Sequence, residues 1–154
     1  MGDLTANFDL AELTKSETAE KLGIANTTGP VEAAALQRLA VTILQPIRDL
    51  VGGPVLVHDA FRNAQVNAAV GGVPDSQHQR GEAADISCPS LSLQELFDLV
   101  RKSSVPYDQC ILEETASGGC VHVSEAPWTE DTPRRQALIR EGTAPHWTYT
   151  PVED

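Results

Sequence analysis

The sequence predicts an α+β fold, a small, mainly antiparallel sheet with helices packed on it. Helical signals dominate roughly the first fifty residues. Short strands then alternate with short helices, and two strand-like segments close on the Gly-rich run Thr115-Ala116-Ser117-Gly118-Gly119, which reads as a hairpin turn. At 154 residues and 41% hydrophobic, the chain suits one domain, residues 1–154, with a core of its own.

Each element has its own signal. Thr14-Lys15-Ser16-Glu17 has the form of a capping box, and Gly23 can stop the helix behind it. Pro30 suits the first turn of a longer helix whose apolar face is Leu36, Leu39, Ala40, Ile43, Leu44, Ile47 and Leu50. Pro46 should bend or locally break that helix, because it removes a backbone donor, and Gly52-Gly53-Pro54 ends it. Val55-Leu56-Val57 reads as a short buried strand, Asn63 to Val70 as a helix, and Ala83 to Ser87 as a second strand after the polar segment Asp75 to Glu82. Ser92-Leu93-Gln94-Glu95 is a second capping box, opening a helix to about Lys102. Tyr107 to Glu114 and Cys120 to Glu125 are the hairpin strands. Residues 126–154, rich in Pro, Thr and charge, read as a largely irregular tail with one short element near Arg134 to Arg140.

Charge excludes some partners. Eleven basic against 22 acidic residues give a formal net charge of -11, which repels phosphate backbones, so no nucleic-acid partner is expected. No apolar run reaches the ~20 residues of a membrane span, so no membrane partner is expected either. The start, Met1-Gly2-Asp3-Leu4-Thr5, has no signal-peptide character, which predicts a cytoplasmic protein as synthesised. Cys88, Cys110 and Cys120 are too few and scattered for a disulfide framework and read as free thiols; a Cys110–Cys120 disulfide between the hairpin arms is the alternative, disfavoured by a register that puts the two on opposite faces.

The chemistry gathers around two of the four histidines. His78 stands seven residues before Asp85, and His122 lies in the alternating run Cys120-Val121-His122-Val123-Ser124, where it points away from a valine face. Two histidines and a carboxylate are a normal protein contribution to a catalytic zinc, and amide hydrolysis further needs a general base. If Val121 and Val123 face the core, Cys110 and Leu112 face it too, and Gln109, Ile111 and Glu113 share the other face with His122 and Ser124. A register with Glu113 beside His122 and a four-residue turn, Ala116 to Gly119, selects Glu113 as base, and a one-residue slip would substitute Glu114. The plainer alternative is a pair of solvated hairpin glutamates. Arg62, between a strand and a helix, can donate to an oxyanion or substrate carboxylate, though such an arginine is more often a surface charge. Ser76 can bond a ligand or cap its loop.

The run Asn67 to His78 continuing into Gly81-Glu82-Ala83-Ala84-Asp85-Ile86 resembles the zinc D-Ala-D-Ala carboxypeptidase family. That family includes phage L-alanyl-D-glutamate endolysins and is related in fold to the hedgehog signalling domain. Phe61-Arg62-Asn63, Tyr107-Asp108-Gln109, Val121-His122-Val123-Ser124 and the early Phe8 to Leu13 segment with Leu22-Gly23-Ile24 add to a similarity over about residues 8–125. The resemblance implies Zn2+ on His78, Asp85 and His122, a glutamate base, and Arg62 stabilising a substrate carboxylate or transition-state charge. It also implies peptidoglycan stem peptides as substrate. Gly119 stands where many relatives carry the glutamate, three residues before the last histidine, and close relatives carry one where Glu113 stands. Cys120 stands where tryptophan is expected.

These readings predict a zinc peptidase acting on cell-wall peptides, as a D,D-carboxypeptidase or a phage-type endopeptidase released to the wall. The alternative is a non-catalytic zinc module of the same fold, closed by four protein ligands, for which His146 is the candidate fourth.

Overall fold

The apolar spacing after Pro30 produces the main helical layer of the protein, seen in a computed structural model that describes residues 2–116, 118–127, 129–130, 132–143 and 145–153. Two short helices come first, α1 (Leu10–Thr14) and α2 (Glu17–Leu22). The cap of α2 is Ser16, whose hydroxyl accepts the Ala19 N–H, and Thr14 instead donates back to the Leu10 carbonyl. The long helix runs as α3 (Pro30–Leu39), a π-helical turn (Ala40–Leu44) and α4 (Gln45–Val51). The wide turn, with the Gln45 N–H reaching the Ala40 carbonyl, lies immediately before Pro46 and accommodates the donor that proline lacks. Beyond Ile47 the buried face advances four residues to Val51, so Leu50 is left exposed.

Six strands form one sheet in the order β1-β2-β4-β3-β5-β6. They are β1 (Leu56–Asp59), β2 (Ala83–Ser87), β3 (Gln109–Thr115), β4 (Gly118–Ser124), β5 (Gln136–Thr143) and β6 (His146–Pro151). All neighbours are antiparallel except β3 and β5, which run parallel. The segment 126–154 is therefore not largely irregular: β5 and β6 extend the sheet as a hairpin, with β-forming Trp147, Thr148, Tyr149 and Thr150 on its outer strand. β1 is an edge strand with Leu56 half exposed, rather than a buried one.

Helix α5 (Ala64–Ala69) is capped by Asn63, and α6 (Leu93–Arg101) by the Ser92–Glu95 capping box. The core packs Leu36, Leu39, Ile43, Ile47, Leu96, Phe97 and Val100 with one face of the sheet, including Ile86, Val121, Val123, Cys110 and Leu112. The opposite face is left for chemistry. Among the described residues no helix is long and apolar enough to cross a membrane.

Candidate metal centre

Strand alternation sets the site. Asp85 pairs with His122 across β2 and β4, which puts both side chains on the sheet face away from the core. His78 comes from a 3-10 turn (Gln77–Arg80) that the Ser76 hydroxyl caps by accepting the His78 N–H at 3.2 Å. Oδ1 of Asp85 lies 3.4 Å from His78 Nε2 and 3.1 Å from His122 Nδ1. The donor atoms of His78, Asp85 and His122 all lie within 4.8 Å of one another.

The surroundings fix which nitrogen each ring presents. His78 Nδ1 lies 2.7 Å from the Ala60 carbonyl, so it carries the proton and leaves the Nε2 lone pair facing Asp85. His122 Nε2 lies 3.3 Å from Gln77 Oε1, leaving Nδ1 for the cluster. The Gln77 amide in turn donates to Asp108 Oδ2 at 3.1 Å, and Arg134 clamps that carboxylate, with Nη2 2.6 Å from Oδ2. Two imidazole lone pairs, each ring oriented from behind, and a carboxylate oxygen fit a zinc ion. Burial works against the Asp85 charge, but His78 and His122 outweigh it and hold that carboxyl far below its ordinary range. Burial likewise opposes a charge on His78, and Asp85 overrides it and raises the imidazole pKa.

Glu113 is beside this cluster, in a register that differs from the expected one. It pairs with Cys120, His122 pairs with Ile111, and the ladder runs on to Thr115 opposite Gly118, nearer the tip than the expected turn allows; Ser117 lies outside the described residues. The offset is two residues, so every side chain stays on its expected face. Gly118 and Gly119 are strand residues, and the reason is steric. A Cβ on Gly119, at φ +140°, would meet the Glu113 carbonyl oxygen at only 2.1 Å, so β3 approaches as closely as it does because residue 119 has no side chain. No glutamate fits there, and the carboxylate comes from β3 instead.

Ligand-capable atoms of Asp85, Glu113 and Cys120 lie within 4.8 Å of one another, and Cys120 Sγ donates to Glu113 Oε1 at 3.6 Å. Burial, then the Asp85 charge, push the Glu113 carboxyl pKa upward, against His122 and Arg140. Glu114, the alternative base, is on the exposed side of the hairpin.

Arg62 and Ser76 also meet at the site. Arg62 Nη2 donates to Ser76 Oγ at 3.4 Å, and Arg62 Nε lies 3.3 Å from Asp59 Oδ2. Ser76 thus caps its loop and touches the guanidinium at once. His58 bonds Ser87 at the sheet edge and His146 is exposed on β6, so neither joins the cluster. All three cysteines are free, with Cys110 on the core face and Cys120 on the site face. Sequence reasoning missed Asp59, Gln77, Asp108, Arg134 and Arg140. Gln77 and Asp108 stood inside the quoted motifs, but only the tertiary structure pairs them.

The sequence matches the model of the Peptidase M15 family over residues 6–124, a stretch that contains every residue of the three-donor cluster and Glu113. No curated protein matches the chain.

Proposed function

The chain belongs to the Peptidase M15 family of metallopeptidases, generally zinc-dependent, and from that premise we propose that it hydrolyses peptidoglycan stem peptides, as a D-Ala-D-Ala carboxypeptidase or a phage-type endopeptidase. The observation that carries the reading is the convergence of His78 Nε2, Asp85 Oδ1 and His122 Nδ1 with the Glu113 carboxylate on the same sheet face. His78, Asp85 and His122 would hold Zn2+, which supplies Lewis acidity for amide hydrolysis when bound.

The remaining work falls to side chains. Glu113 accepts a proton from the attacking water and delivers it to the leaving amine nitrogen. Its raised pKa is the direction such a shuttle needs, since the group must both take and give a proton near neutral pH. Arg62, half-anchored by Asp59 and Ser76, offers its guanidinium to a substrate carboxylate or to charge developing on the carbonyl oxygen. Gln77, Asp108 and Arg134 keep His122 in one tautomer.

A purely structural zinc module needs a fourth protein donor. Among the described residues, the cluster around His78 holds three histidine, cysteine or carboxylate donors, which favours the catalytic reading. The test pairs metal analysis of wild type and His122→Ala with mass-spectrometric cleavage of defined stem peptides by wild type and Glu113→Gln. One zinc per chain, lost in His122→Ala, with cleavage abolished and zinc kept in Glu113→Gln, is the expected result. Zinc without cleavage of any stem peptide would favour the structural module, and absence of zinc would overturn both.

A further inference from the structure

The matched family region ends at residue 124, yet the β5–β6 hairpin beyond it reaches the site. Because Leu112 pairs with Ile139 in the parallel β3–β5 ladder, the next residues, Glu113 and Arg140, stand side by side on the site face. Arg140 Nη1 lies 3.4 Å from Glu113 Oε1, and both side chains are largely buried. The Arg140 guanidinium carbon sits 3.8 Å over the Trp147 ring. Opposite Trp147 in the β5–β6 ladder is Gly142, which places no side chain beside the indole. Among the described residues, Arg140 Nε is buried without a hydrogen-bond partner.

We propose that Arg140, resting on Trp147, is a positioning residue that holds the Glu113 carboxylate against the metal cluster. Glu113 and Asp85 are two carboxylates with ligand-capable atoms within 4.8 Å, and like charges so close repel. Among the described residues, the hydrogen bond that Glu113 accepts comes from the Cys120 thiol at 3.6 Å, a weak donor. The guanidinium offsets the repulsion, and the indole limits where the guanidinium can go. A buried arginine whose Nε has no partner among the described residues is poorly explained as a stabilising element alone, since burying an unpaired donor is unfavourable. The role rests on the peptidase reading, in which Glu113 is the base.

The test uses the zinc-loaded full chain and defined stem peptides. Arg140→Ala is expected to keep its zinc and lower kcat about 10–100-fold while KM stays within about threefold, because misplacing a reacting group by about 1 Å can cost that much. Arg140→Lys restores part of the rate, and Trp147→Leu shows a smaller loss in kcat. A raised KM with kcat unchanged would overturn the proposal and make Arg140 a substrate anchor. A second readout needs no turnover: urea midpoints for Arg140→Ala, Glu113→Gln and the double variant. A double-variant shift smaller than the sum supports the contact, and additive shifts overturn it. If the wild type cleaves no stem peptide, the peptidase reading falls and takes the catalytic role of the pair with it, while the cycle still decides whether Arg140 holds Glu113.

Discussion

Gly119→Ala separates two costs that usually come together. Gly118 and Gly119 both have φ values that side chains rarely adopt, +133° and +140°. An added Cβ on Gly118 meets nothing within 4 Å, whereas on Gly119 it meets the Glu113 carbonyl oxygen at 2.1 Å and Glu114 Cα at 2.9 Å. Gly118→Ala should therefore cost only backbone strain, about 1–3 kcal/mol. Gly119→Ala carries the same strain plus displacement of a paired strand, a further ~1–3 kcal/mol on the scale of overpacked cores. Urea unfolding in the presence of a chelator measures both variants without the stabilisation that metal binding adds. The displaced backbone is that of Glu113, so Gly119→Ala should also lose peptidase activity while Gly118→Ala keeps most of it. Equal stability losses in the two variants would refute the claim that close approach of β3, rather than turn geometry, demands glycine at 119.

Two other predictions address the support behind His122 and a buried carboxyl next to β4. Gln77→Leu removes the acceptor behind His122 Nε2 and should weaken zinc binding about 10–100-fold in competition with a chromophoric chelator; unchanged affinity would mean the Gln77–Asp108–Arg134 chain is idle. Burial, with Glu82 adding to it against Arg38, pushes the Glu125 carboxyl up to about 8 from 4.5, so the protonated form is the one the fold accepts. Stability linked to this group is complete below about pH 4.5, declines as pH rises and is fully lost above about 8, roughly 3 kcal/mol of it by pH 7. Glu125→Gln should flatten that slope, and urea unfolding at pH 5 and pH 8 that shows the same decline as wild type would contradict it.

The hairpin shows why some of this was readable in the sequence and some was not. Which residues face the core follows from a period of two, and the valines flanking His122 fix the parity, so Glu113, Cys120 and His122 fall on one face however the strands are offset by even numbers. The offset itself depends on whether Gly118 and Gly119 belong to the turn or the strand, and a contact with the Glu113 carbonyl decides it. Local rules also left near-ties: Thr14 and Ser16 both have the chemistry of a cap, and only Ser16 has the geometry. The tail reads as irregular in sequence because Pro, Thr and charge outweigh the short apolar run Ala137-Leu138-Ile139, which in the fold pairs with β3. Arg134 and Arg140 became legible only once that pairing existed, since a charged residue chooses its partner in space rather than along the chain.

The sheet order also bears on an apparent conflict between the charge of this chain and the acidic substrates proposed for it. A chain of formal charge -11 should repel peptides rich in carboxylates. The site face is different. Counting neutral histidines, it sets Asp59, Asp85 and Glu113 against Arg62 and Arg140, a net of -1 that becomes +1 once a divalent ion is held. The two guanidinium groups flank the cluster, Arg62 from the β1 side and Arg140 from β5, with β2, β4 and β3 between them. Attraction for an acidic peptide therefore depends on the ion as much as on the arginines. At long range the overall negative charge opposes approach, and added salt screens it by shortening the Debye length, while the local contacts are shorter and partly buried and so less affected. Moderate salt should thus favour encounter with an acidic stem peptide without removing the short-range charges that would hold it in place.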